Sequence, residues 1–186
     1  MPRPFSKRLV IDASIAFAAG QLFAESPVSA ACRDFLVAVQ EICHRVVVGK
    51  ELDDEWREHA SPFATLWLVQ MYQRGKNKYV DLRRRELADA QFRENVEGTQ
   101  ADEGAREAVM KDVHLIEAAC ATDRIVISCD DRARNHFRRI VGLIGELRRI
   151  VWVNPTREAE DALRWLQQGA KPQRERRLSF QAESSK

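Results

Sequence analysis

Arg8-Leu9-Val10-Ile11-Asp12-Ala13-Ser14 decides how the rest of the chain is read. Arg8 to Ile11 is short, apolar and β-branched, which predicts a buried strand. The strand ends in an acid. Ala13 to Ala19 is small and helix-permissive, and Gly20 can close that helix. A strand running straight into a helix through an aspartate is the opening of an α/β unit. A carboxylate in an apolar run is costly unless it is paired or bound to a cation.

Working outward, the apolar positions Phe35, Leu36, Val39, Ile42 and Cys43 recur at helical spacing and predict a helix over 29–44. Val46-Val47-Val48 predicts a second strand with Gly49 at its exit, and 50–59 a further helix. Ser61 followed by Pro62 predicts the N-cap and N1 of another helix, running through Trp67 and Met71. Gly75 and Asn77 suggest a break before a charged helix over 78–96, and 97–104 a polar loop. A helix is expected over 105–122, a third strand at Ile125-Val126-Ile127-Ser128, a helix over 132–147 and a fourth strand at Ile150-Val151-Trp152-Val153. Pro155 is expected to open a last helix over 156–168. Short apolar strands separated by helices argue for α/β class, a three-layer α/β/α fold on a central parallel sheet of short strands. The expected organisation is one domain over 1–155 with a helical elaboration at 61–103, a packed helix at 156–168, and a basic flexible arm over 169–186.

Composition is that of an ordinary globular chain, with 45% hydrophobic and 31% charged residues. No apolar run approaches the ~20 residues of a membrane span. The basic-then-apolar start resembles a secretory signal, but Asp12 interrupts its apolar part, so a cytoplasmic protein is expected. Cys32, Cys43, Cys120 and Cys129 form no CxxC pair, which argues against zinc and for reduced thiols, mostly in the core. The net charge of +2 conceals a basic end, Lys171, Arg174, Arg176, Arg177 and Lys186 against Glu175 and Glu183. A second basic stretch, Arg132, Arg134, Arg138, Arg139, Arg148 and Arg149 against Glu146, follows Asp131. Clustered arginines suit a polyanion as well as a solvated face.

Acids stand at the junctions of this plan. Asp12 ends the first strand, Asp130 and Asp131 follow the third, and Asp112 lies in the helix before it. Ligands of parallel sheets bind beyond the carboxyl ends of the strands. Glu55 reaches the same rim if its helix packs over it. One of Asp130 and Asp131 is expected to cap the next helix. Several carboxylates on one rim repel unless a divalent cation joins them, and oxygen donors without His or Cys favour Mg²⁺ or Mn²⁺. Such an ion can activate water for phosphodiester hydrolysis. His114, two residues beyond Asp112, is expected on another helix face. The four tryptophans are expected in the core, with Tyr72 and Tyr79 better placed to stack on bases.

These pieces together resemble the PIN-domain nucleases. The resemblance spans roughly 8–155 and rests on Val10-Ile11-Asp12-Ala13-Ser14, on Val46 through Trp56, on Asp112-Val113-His114-Leu115-Ile116-Glu117-Ala118-Ala119 and on Ile125 through Asp130. It implies a Mg²⁺- or Mn²⁺-dependent endoribonuclease acting on single-stranded RNA, with Asp12, Glu55, Asp112 and Asp130 as catalytic metal ligands. Ser14 and Ser128 would be the hydroxyls of the D-x-S and S-x-D patterns beside them. Glu51, Asp53 and Asp54 compete with Glu55 for the second acid, and Asp131 with Asp130. Arg132 and Arg134 could hold substrate phosphates. The toxin members of the family pair with an antitoxin protein and often form homodimers. The alternative is a catalytically inactive PIN-like module that binds RNA or serves as a scaffold. A haloacid-dehalogenase-like phosphatase needs a second Asp where Ser14 stands, and a response-regulator receiver needs an acid pair after the first strand.

Overall fold

The computed structural model describes residues 6–20, 26–82, 87–99 and 103–180. Five strands form one all-parallel sheet: β1 (Arg8–Ile11), β2 (Arg45–Val48), β3 (Asn77–Tyr79), β4 (Ile125–Ile127) and β5 (Val151–Val153), in the spatial order β3-β2-β1-β4-β5. The helices are α1 (Ala13–Ala18), α2 (Pro27–Glu41), α3 (Lys50–His59), α4 (Pro62–Gln73), α5 (Leu87–Gly98), α6 (Glu103–Cys120), α7 (Asp131–Ile140) and α8 (Ala162–Gln167). The expected three-layer α/β/α architecture is what the chain adopts.

Strand side chains alternate between the two faces of the sheet. Leu9, Ile11, Val46, Val48, Ile125 and Ile127 therefore pack one way, into a core with Phe35 and Leu36 of α2, Trp67 and Met71 of α4 and Trp165 of α8. Val10, Val47, Val126 and Trp152 face the other way, toward Val96 of α5, Val113 and Ile116 of α6 and Phe137 of α7. The four tryptophans are buried, as expected. Among the described residues no helix is long and apolar enough to cross a membrane.

Three expectations are corrected. First, Asn77–Tyr79, expected as a break at Asn77 and the start of a charged helix over 78–96, is an edge strand paired with Val46–Val48. Its residues are polar and half-open, so it lacks the apolar signature of a buried strand; backbone pairing alone defines it. The described parts of the 61–103 segment are therefore built into the sheet and both helical layers. Arg83, Arg84 and Arg85 lie outside the described residues. Second, the helix over 156–168 is broken. A single 3₁₀ turn at Glu158–Glu160 precedes α8, and Asp161 between them has a left-handed φ of 38°. Likewise α7 stops at Ile140, and Gly145–Arg149 is a separate 3₁₀ turn. Third, residues 170–180 are not a loose arm. Arg177 bridges antiparallel to Val151, the Leu178 amide donates to the Ile150 carbonyl at 2.9 Å, and Leu178 is buried. An open β5 edge would leave its backbone unpaired, and this segment covers it. Arg176 lies over the Trp165 ring at 5.3 Å and helps dock it.

The strand order has a consequence for function. The chain moves from β1 through β2 to β3 on one side, then crosses to β4 and β5 on the other. The crevice beyond the carboxyl ends of β1 and β4 is thus the topological switch point, where ligands of open α/β sheets bind.

Candidate functional site

Parallel pairing of Ile11 with Ile127, continued by the Asp12 amide donating to the Ile127 carbonyl at 2.9 Å, brings Asp12 beside Ser128. Both neighbouring hydroxyls turn to the same carboxylate oxygen. Ser128 Oγ donates to Asp12 Oδ2 at 2.6 Å, and Ser14 Oγ donates to it as well. The two hydroxyls stand 3.2 Å apart, but their protons are already committed to Asp12. Each hydroxyl then accepts from the β4–α7 turn: Ser14 from the Cys129 amide at 3.0 Å, Ser128 from the Asp130 amide at 2.9 Å. The D-x-S and S-x-D patterns are two halves of one network locking the ends of β1 and β4 together.

Asp130 caps α7. Its Oδ1 accepts from the amides of Arg132 at 2.8 Å and Ala133 at 2.9 Å, which leaves Oδ2 for another partner. Asp131 turns away, accepting from Asn154 Nδ2 at 3.1 Å and Arg157 Nε at 2.8 Å. Of the adjacent pair, Asp130 lines the cavity and Asp131 does not.

A tryptophan decides which of the acids on α3 faces the crevice. Trp56 Nε1 donates to the Ile11 carbonyl at 2.8 Å, pinning α3 against the end of β1. Glu55 consequently faces the crevice. Asp54 is instead paired with Lys50 and Arg57, and Asp53 lines a separate groove. Across the crevice, Asp112 enters from α6.

Asp12, Glu55, Asp112 and Asp130 line one cavity of about 310 Å³, together with Ser14, Phe17, His59 and Lys111. Desolvation raises the Asp12 pKa above the usual carboxylate range, with the serine bonds opposing and Glu55 adding to the rise. Asp112 is pushed up to about 6, first by desolvation, then by the like charges of Asp12 and Asp130. Mutual repulsion is thus a property of this cavity. Among the described residues no three His, Cys, Asp or Glu side chains are drawn tightly enough together to hold one metal ion as they stand.

His114, expected on another helix face than Asp112, does not line the cavity but touches one of its acids. Its Nε2 lies 3.2 Å from Glu55 Oε2 and its Nδ1 3.0 Å from the Lys111 carbonyl. Both partners are acceptors, which suits the doubly protonated ring. Burial alone would lower its pKa, but Glu55, the Lys111 carbonyl and Asp112 together outweigh that and the net direction is upward. The signal was present as Asp112-x-His114 on a helix facing Glu55; only the packing of α3 on α6 makes it readable.

The two arginines expected to bind phosphate part company. Arg132 is exposed beside Asp130. Arg134 is buried and donates from Nη1 to Glu160 Oε1 at 2.5 Å, so it ties α7 to the 3₁₀ turn at Glu158–Glu160 and is corrected to a structural role. Tyr72 and Tyr79 are exposed, on α4 and the edge strand β3. Of the cysteines, Cys32 is buried, Cys120 and Cys129 are half-buried and Cys43 is exposed, so the core expectation holds for Cys32 alone. No family model, curated protein or solved structure matches this chain.

Proposed function

We propose that this chain is a divalent-metal-dependent endoribonuclease that hydrolyses phosphodiester bonds in single-stranded RNA, as its resemblance to PIN-domain nucleases implies. The observation that carries the reading is the convergence of Asp12, Glu55, Asp112 and Asp130 on one cavity at the switch point of a parallel sheet. The four acids fit Mg²⁺ or Mn²⁺: their donors are all hard carboxylate oxygen, and while the His59 imidazole also lines the cavity, no thiolate does. Asp112, destabilised in its charged form by desolvation and by two neighbouring acids, gains from a cation. Asp12, Asp112 and Asp130 would hold the ion, with Glu55 completing the set. Bound there, it would supply a Lewis acid and lower the pKa of a coordinated water.

The protein's own residues prepare the rest. Ser14 and Ser128 fix one oxygen of Asp12 and leave Oδ1 facing other partners. His114 holds Glu55 by one oxygen. Lys111 in the cavity and Arg132 on its rim offer cations to substrate phosphates, which supplies affinity without sequence choice. A cytoplasmic location, an antitoxin partner and a homodimer belong to the same reading by resemblance.

The test is cleavage of single-stranded RNA with and without millimolar Mn²⁺, by wild type and Asp12→Asn. Metal-dependent cleavage lost in the variant is expected. RNA binding with equal inertness of both proteins refutes the enzyme and leaves the inactive binding module.

A further inference from the structure

Two thiols that sequence separates meet beside this site. Cys32, in the middle of α2 and fully buried, and Cys129, half-buried in the β4–α7 turn, lie 97 residues apart in the chain, with sulfurs 3.5 Å apart. That is van der Waals contact. A disulfide needs about 2 Å, so small rotations of the two side chains would close the gap. Cys129 is also the residue between Ser128 and Asp130. Its amide donates to Ser14 Oγ at 3.0 Å, and its carbonyl accepts from Asn154 Nδ2 at 3.3 Å.

We propose that Cys32 and Cys129 form a reversible disulfide when the protein meets a hydroperoxide, and that this bond disturbs the Asp12 network. Hydrogen peroxide meets the more accessible Cys129, which reacts as the thiolate once its proton has passed to solvent. Its sulfur attacks one peroxide oxygen, an S–O bond forms, the O–O bond breaks, and hydroxide leaves, taking that proton back from solvent as water. Cys32 Sγ then attacks the sulfenic sulfur. The S–S bond forms, the S–O bond breaks, and a second water departs with the Cys32 proton. Two electrons pass from the two sulfurs to one peroxide. In a reducing compartment such a bond is transient, which suits sensing rather than static stapling.

The coupling follows from the turn. Drawing Cys129 toward α2 moves the amide that Ser14 accepts from, and Ser14 in turn holds Asp12. The chemical step stands without any assumption about activity, whereas the coupling rests on the proposed nuclease reading.

The experiment treats the reduced full-length chain with hydrogen peroxide, alkylates the remaining thiols and maps peptides without reductant. The expected result is a fall from four free thiols to two, and one crosslinked pair containing Cys32 and Cys129, two hydrogens lighter than its separate halves and released by dithiothreitol. Cys43→Ser keeps that crosslink. Cys32→Ala abolishes it and leaves a Cys129 sulfenic acid that dimedone traps; should that variant not fold, the wild-type map decides alone. Four thiols after treatment, or a crosslink through Cys43 or Cys120, overturns the proposal. RNA cleavage is then compared between oxidised and reduced protein, and a several-fold loss reversed by dithiothreitol is expected. Unchanged cleavage by the crosslinked enzyme overturns the coupling. A reduced protein that cleaves nothing counts against the nuclease reading and leaves the disulfide standing.

Discussion

Replacing Asp112 by Asn should make the metal-free protein more stable at neutral pH. The Asp112 carboxyl titrates near 6 in the folded chain, against 3.8 ordinarily. Below 3.8 it is protonated in both states and costs nothing. As pH rises the unfolded chain ionises first, so folding stability falls across the window from 3.8 to about 6, and the loss is complete above it. Each pH unit of separation is about 1.4 kcal/mol, which puts the ceiling near ~3 kcal/mol. Asp112 keeps some contact with water, and screening trims the expected cost to about 1–2 kcal/mol. Asn keeps the size of the side chain and removes the charge. The variant should therefore melt about 4 °C higher than wild type at pH about 7 in chelator, since 1 kcal/mol moves the Tm of a chain this long by about 2–4 °C. The advantage should vanish as pH is lowered below 3.8, where the carboxyl is neutral in both folded and unfolded chains. Millimolar Mn²⁺ should reverse the order by stabilising wild type through mass action. Differential scanning fluorimetry over a pH series, with chelator or metal, reads all three. A variant no more stable than wild type at neutral pH, or a gap that persists in acid, refutes the claim that burial together with Asp12 and Asp130 disfavours the Asp112 carboxylate.

Trp56→Phe keeps an aromatic side chain but removes the pyrrole half of the buried indole, and with it the donor to the Ile11 carbonyl. A loss of about 1–3 kcal/mol in urea unfolding is expected, together with weaker metal-induced stabilisation because Glu55 is carried by the same helix; unchanged stability would show the bond to be dispensable. Gly49→Ala should cost about 1–3 kcal/mol by overpacking, because a Cβ there would lie 2.5 Å from the Val80 carbonyl oxygen; neutral behaviour in the same assay contradicts that close approach. His44 is buried with Nδ1 accepting from the Lys7 amide at 3.1 Å and Nε2 donating to the Leu166 carbonyl at 3.1 Å, and burial holds its pKa below the ordinary 6.5. Its contribution is present above 6.5 and is lost as pH falls through the lower folded value, so His44→Gln should flatten the acid limb of the stability profile; an unaltered limb refutes this.

Much of the fold is legible in local pattern. Four of the five strands are apolar runs whose residues prefer a buried ladder in any context, and the Ser61-Pro62 start of α4 follows from the geometry of a helix N-terminus, with Ser61 Oγ accepting from the Ala64 amide. Asp12 stands out because a carboxylate in an apolar run demands a partner. Its immediate partners, Ser14 and Ser128, are separated by 114 residues, yet both sit in short motifs that could be picked out one at a time. What could not be read are features defined by pairing at a distance. β3 exists because β2 offers it a backbone edge, not because Asn77-Lys78-Tyr79 prefers to be extended. The 170–180 segment, polar enough to pass for a free arm, is held by β5 through backbone bonds and by one buried leucine.

By itself, the sequence determined the layering of helices on a parallel sheet and the presence of acids where its strands end, because both follow from side-chain periodicity and from the direction in which the chain leaves each strand. Only the tertiary structure decided which acids share a cavity. Glu55 was separated from Asp54 by where Trp56 found an acceptor, and Asp130 from Asp131 by which of them capped a helix and which met Arg157. His114 and the Cys32–Cys129 contact came from helix packing between segments remote in the chain. Propensity and periodicity act within a few residues, whereas these choices are set by which surfaces meet, and that is fixed only when the core closes.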